Sequence, residues 1–165
     1  MKQIKEFKDK YEFLSNFYPV TIKLDGLLFP SVEHAFVAAK TLNINERKAI
    51  QLLDTPGKAK RFGRNIELRE DWEDVKEEFM FNFLLQKFQY LKNTVDLFNT
   101  ENSELIESNT WHDNEWGSCI CSNCGDKGKN KLGKLLMKVR DIINHEDKYQ
   151  IDTEVFISNS IISKY

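Results

Sequence analysis

Along this chain the spacing of apolar residues changes from one period to another, and the changes mark the elements. Val20-Thr21-Ile22-Lys23-Leu24 alternates apolar with polar positions, Asp25-Gly26 follows, and Leu27-Leu28-Phe29 returns. Alternation of period two marks strands, and Asp-Gly supplies the positive backbone angles of a turn that matches strand twist. The spacing predicts a β-hairpin over 20–29. It then turns helical: Pro30 and Ser31 read as an entry and an N-cap, and no breaker occurs before Asn43, which predicts about three turns of helix. Glu33, Phe36, Val37 and Lys40 follow the spacing i, i+3, i+4, i+7, so a carboxylate and an ammonium share a stripe with two apolar residues. Such a stripe faces a cleft, or it faces solvent with Glu33 complementing the helix dipole and Lys40 solvated in the last turn.

Residues 45–54 read as a second short helix, with Ile50, Leu52 and Leu53 available to pack, and Thr55-Pro56-Gly57 ends it. Asp71, as an N-cap, opens the longest helix. Its apolar face of Val75, Phe79, Phe83, Leu84, Phe88 and Leu91 marks it as the central helix of the core. Residues 94–105 form a weaker helical stretch, 105–107 a short strand, and Leu135 to Ile143 a closing helix. From Glu146 onward the pattern fits one more strand or a loosely attached tail.

Composition narrows the class. At 165 residues and 19.4 kDa the chain suits one domain with a real core. A formal net charge of −2 excludes binding dominated by nucleic-acid electrostatics, although local basic patches are compatible with it. No apolar run reaches membrane-spanning length and the first residues do not lead into a signal-peptide core, so a soluble, cytoplasmic protein is expected. Cys119, Cys121 and Cys124 form a C-x-C-x-x-C cluster, unlike the even, dispersed count of a secreted disulfide framework. They are expected as free thiols in a surface loop; zinc, with His112 as the nearest fourth ligand, is the alternative, since a strong signature needs two paired clusters.

Three segments carry candidate chemistry. Lys58 to Arg64 holds four basic residues in seven and reads either as a phosphate cradle or as a solvated helix end. Ser108-Asn109-Thr110-Trp111-His112-Asp113-Asn114-Glu115-Trp116-Gly117 has no amphipathic period and is expensive to order unless something is bound or catalysed there. Gly125 to Gly133 is a glycine-rich basic loop before a helix, able to offer N–H groups and lysines to a phosphate, though it lacks the Walker A spacing. Trp72, at the mouth of the longest helix, reads as a base-stacking or a packing residue.

Taken together, Ser15-Asn16-Phe17, Pro30 to Phe36 with Lys40, Gly63-Arg64, Trp72 with Val75-Lys76, Asp113 with Trp116-Gly117, and Gly128 to Gly133 through Leu136-Met137 and Arg140 resemble the NADAR family of YbiA-like N-glycosidases. The likeness runs in order from about Phe7 to Ile143. It implies an α+β, mainly α fold: one domain over residues 1–145 of packed helices with a short N-terminal β-hairpin and few short strands, and a C-terminal extension over 146–165. It implies hydrolysis of a bond between a ribose carbon and a nitrogen, with no cofactor. Substrates of similar proteins are ribosylamino-pyrimidine phosphates of riboflavin synthesis, or ADP-ribose on the amino group of guanine in DNA or RNA. Some relatives are antitoxins, which implies a toxin partner. The cysteine-bearing insertion departs from the shorter loop of riboflavin-type members and directs the reading to the ADP-ribosyl substrate.

Breaking such a bond builds positive charge on the sugar and requires a proton for the departing nitrogen, a task for two carboxyl groups. The expectation is that Glu33 and Asp113 divide these roles. Lys40 holds a phosphate or ribose oxygen, or serves as an amine nucleophile toward the opened sugar aldehyde. Trp72 and Trp116 stack on base or sugar, Arg64, Lys129 and Asn130 meet phosphates, and Asn16, Phe17 and Gly117 are carried over from the matching motifs as substrate-binding residues. The rival from another class is a module that binds ADP-ribose without cleaving it.

Overall fold

The computed structural model describes residues 2–146, apart from the side chains of Leu91 and Glu146; the predicted 147–165 part of the C-terminal extension lies outside the described residues. The hairpin forms as β2 (Pro19–Leu24) and β3 (Leu27–Ser31), after a two-residue β1 (Gln3–Ile4). Its register pairs Ile22 with Phe29 and Leu24 with Leu27, and Asp25 and Gly26 take φ of 46° and 79°, the two positive angles this tight turn requires.

Strand β3 passes directly into α1 (Val32–Ala39), where the Ser31 side chain accepts from the His34 N–H. The helix ends at Lys40, a turn shorter than expected, because Thr41, Leu42 and Asn43 leave it to start α2 (Ile44–Gln51), capped by Asn43. All eight residues of α1 are buried, and it packs on α2, on α3 (Pro56–Phe62), on α4 (Trp72–Lys87) and on the hairpin. The core is therefore centred on α1 rather than on α4. Ala35, Ala38 and Ala39 let its neighbours approach, and Gly63 does the same from the other side: a Cβ there would lie 2.7 Å from Val37 Cγ1.

Around this centre α4 packs on α6 (Lys131–Glu146), which also meets α5 (Leu91–Phe98) and β4 (Glu104–Leu105). Strand β4 pairs in parallel with β1, and β5 (Ser108–Asn109) with β6 (Ser118–Cys119). The fold is α+β and mainly helical, as expected.

Other bounds differ from those expected: the helix after α4 is Leu91–Phe98 rather than 94–105, and the strand after it is Glu104–Leu105 rather than 105–107. Pro56 opens α3 instead of merely breaking α2, because Thr55 caps it by accepting from the Lys58 N–H and a first-turn proline loses no bond. Asp71 makes no cap bond; its carboxylate is taken by Arg69 at 2.5 and 2.8 Å. No helix among the described residues is long and apolar enough to cross a membrane.

Candidate active site

A cavity of about 230 Å³ opens beside α1, and Glu33, Phe36 and Lys40, three of the four residues of the mixed stripe, line it. Val37 turns toward Gly63. The opposite walls come from Asn16 and Phe17, from Lys60 on α3, Met80 on α4, and Glu107, Trp111, Asp113 and Trp116 of the segment after β4. Glu33 and Asp113, eighty positions apart in sequence, thus share one pocket.

Each carboxyl is held by a different device. Glu33 sits in the first turn of α1, 9% exposed, with its N–H donating to Asn16 O at 3.0 Å; burial raises its pKa, Lys60 and Lys40 oppose this, and Asp113 reinforces it. Asp113 closes a turn: its Oδ1 accepts from the N–H groups of Glu115 and Trp116 at 3.1 and 2.9 Å, while the Asn109 side chain bonds both its N–H and its C=O. The polar loop is thereby ordered by its own side chains.

Glu107 is a third carboxyl that the sequence reading placed only at a strand end. Burial, with Asp113 nearby, pushes its pKa up to about 7. One signal was present: in an alternation through Leu105, which is fully buried, residue 107 shares the inward side. Three residues of the matching motifs fix its backbone. The Asn130 side chain accepts from the Glu107 N–H at 3.0 Å and donates to Leu105 O at 2.8 Å. Gly117 and Gly133 allow close approach, since a Cβ would lie 2.4 Å from Glu107 O or 2.1 Å from Leu105 O.

Cations complete the pocket. Lys40, shifted down chiefly by burial, stands 6.0 Å from the ring centres of Phe36 and Trp72. Lys60 lies 5.9 and 5.7 Å from the rings of Phe17 and Trp111, both well exposed at the mouth. Behind the wall, Lys87 is fully buried and donates to Ser15 O at 2.7 Å; burial brings its pKa down to about 7, and the attraction of Glu107 partly opposes this.

Of the sequence-predicted site residues, Asn16, Phe17, Glu33, Lys40, Asp113 and Trp116 come together. The others do not line the cavity. Trp72, 6% exposed, packs against Phe36 at 5.1 Å and Phe79 at 6.5 Å, a position inside the core. Arg64 is exposed beyond the end of α3, and it is Lys60 of the same basic run that reaches the pocket. Lys129 pairs with Glu115 at 2.7 Å; Lys131 bonds the same carboxylate, and the two hold it well down, to about 2. Asn130 and Gly117 act through Glu107, as described.

The NADAR domain model matches residues 4–144. The chain belongs to the NADAR domain family. N-glycosidase YbiA of Shigella sonnei is 40% identical over 136 residues, 81% of this chain and 82% of that protein. A riboflavin biosynthesis protein of Vibrio vulnificus is 32% identical over 149 residues, 87% of this chain and 38% of that longer one. The NMR structure of Escherichia coli YbiA superposes with a TM-score of 0.75 at 34% identity, covering 92% of this chain and 91% of its own. In the NADAR domain described here some motif residues line the pocket, some fix the backbone that presents Glu107, and others, Gly63 and Trp72 among them, pack the core around α1.

Proposed function

We infer that the chain hydrolyses an N-glycosidic bond, and that its substrate carries ADP-ribose on a guanine base of nucleic acid. The observation that carries the reading is the convergence of Glu33, Glu107 and Asp113 with two lysines in one small cavity. A carboxyl that still holds its proton near neutrality suits the departing nitrogen; burial raises both Glu33 and Glu107, and Glu107, pushed up to about 7, is assigned that role. The C1–N bond breaks with its electron pair going to the nitrogen, which takes the Glu107 proton. Water adds its hydroxyl to C1 and yields its proton to a carboxylate. Glu33 and Asp113 divide that step and the stabilisation of the cationic sugar. Asn16 supports a sugar hydroxyl contact: its Oδ1 is buried without a hydrogen-bond partner among the described residues.

The ADP-ribosyl reading draws on the mouth. Phe17 and Trp111 present exposed rings with Lys60 over both, a platform for a base attached to a larger molecule and a cation for its phosphates. A second reading, a ribosylamino-pyrimidine phosphate of riboflavin synthesis, is favoured by the name of the Vibrio vulnificus relative. Incubating the protein separately with DNA bearing ADP-ribosyl guanine and with the riboflavin intermediates distinguishes them. Release of ADP-ribose with restored guanine is expected. Release of ribose phosphate from the second substrate alone would move the assignment to the riboflavin reading. Tight binding of ADP-ribose with no release from either would leave a binding module.

A further inference from the structure

The three cysteines, expected as free thiols in a surface loop with a zinc site completed by His112 as the alternative, are gathered around one point. His112 Nδ1 lies 3.3 Å from Cys124 Sγ, 3.5 Å from Cys121 Sγ and 3.9 Å from Cys119 Sγ, and these four atoms all fall within 4.8 Å of one another. The cysteines form no disulfide. With zinc–sulfur bonds of about 2.3 Å and zinc–nitrogen bonds of about 2.0–2.1 Å, the edges of a tetrahedral Cys3His site are roughly 3.8 Å between sulfurs and 3.5 Å from sulfur to nitrogen. The imidazole-to-sulfur distances bracket that second value. One ring nitrogen faces all three sulfurs, which is the arrangement of ligands about a common ion rather than a chain of side-chain hydrogen bonds.

We propose that His112, Cys119, Cys121 and Cys124 bind a structural zinc ion. Three thiolates and one imidazole are a soft, closed donor set that leaves no coordination position for substrate, so the ion staples rather than reacts. Each thiol loses its proton to solvent on binding and no electron moves. What is stapled gives the site its consequence. His112, held at φ 66°, lies between Trp111 and Asp113, two residues of the pocket wall, and Cys119 belongs to β6, which pairs with β5 at the loop's start. The ion ties the far side of the loop to that small sheet, and Asn114 Oδ1 already accepts from the Cys119 N–H at 3.0 Å within the same closed circuit. This assignment rests on the four side chains alone and holds whatever substrate the pocket takes.

The test is metal content and spectroscopy of the whole chain purified under reducing conditions. About one zinc per chain is expected by mass spectrometry of the metal, falling to below roughly a tenth in Cys121→Ser and Cys124→Ser. Titration of the apoprotein with cobalt should give intense thiolate-to-cobalt charge transfer and the visible bands of tetrahedral coordination. Hydrogen exchange should rise over residues 108–126 on chelation and stay unchanged in α1 and α4, a readout independent of turnover. Parent protein with less than about a tenth of a zinc, three freely titrating thiols and no cobalt charge-transfer band would overturn the proposal. So would a disulfide within the cluster in protein freshly isolated under reductant.

Discussion

Among the residues of the pocket, Asp113 offers the sharpest separation of fold from chemistry. Its Oδ1 accepts two backbone N–H groups, and an asparagine side chain retains an acceptor oxygen at that position. Asp113→Asn should therefore keep the loop's hydrogen bonds and melting temperature while lowering kcat by about a hundredfold or more, since it removes only the negative charge that the proposed mechanism requires. Glu33→Gln is expected to give a similar loss with ligand affinity largely kept. Unchanged turnover in either would remove that carboxyl from the mechanism. Glu107→Gln carries a distinct signature: an amide cannot give up a proton, so the limb of the pH–rate profile that falls on raising pH through about 7 should vanish along with most of the rate. A residual profile that keeps this limb would assign the acid elsewhere.

The same residues look different at the level of elements, where the task is to aim a side chain. Helix α1 was legible in the sequence because a strand, an N-cap and a mixed stripe occur in succession, each a local signal. Its central place in the core was not, since burial of a short Ala-rich helix is decided by neighbours distant in the chain. Trp72 illustrates the same limit: a tryptophan at a helix start has no local mark telling a stacking platform from a core residue, and here Phe36 and Phe79 claim it. Asn130 and Gly117 were identified as site residues through the resemblance, but their part is to bond or admit the backbone of Glu107, a contact between loops that no spacing reveals. Asn130→Ala should consequently leave Glu107 N–H and Leu105 O without their partner, at a cost of about 1–3 kcal/mol for each buried group, and it places alanine at a φ of 50° that favours asparagine. Because the same change frees the Glu107 backbone, kcat should fall with little change in KM; denaturant unfolding and steady-state kinetics check the two parts separately.

For the molecule as a whole, the buried charges around the pocket make stability depend on pH in a manner that surface groups do not imitate. Glu107 releases its proton near pH 7 when folded and near 4.5 when unfolded, so between those values the folded chain binds more protons and stability falls as pH rises. Lys87 has the opposite sense: it loses its proton near 7 when folded and near 10.5 when unfolded, so the unfolded chain binds more protons across that window and stability grows with pH. Their contributions are least favourable close to neutrality, where two buried charges face each other across the wall of the cavity. His34, shifted down by burial, acts below pH 6.5 against the Glu107 trend, and Glu33, shifted up, acts with it. Differences between variant and parent therefore isolate each group. Lys87→Met should remove the rise in stability above pH 7, while the loss of the hydrogen bond to Ser15 O lowers stability by a similar amount at every pH. It should also move the Glu107 limb of the rate profile to higher pH, since the lysine's attraction helps hold that carboxylate ionised. Thermal melts at several pH values, compared with the parent, measure the first effect and the rate profile the second. An unaltered slope above pH 7 would show that Lys87 stays charged in the folded core, which would make it a permanent counter-ion to the pocket's carboxyl groups.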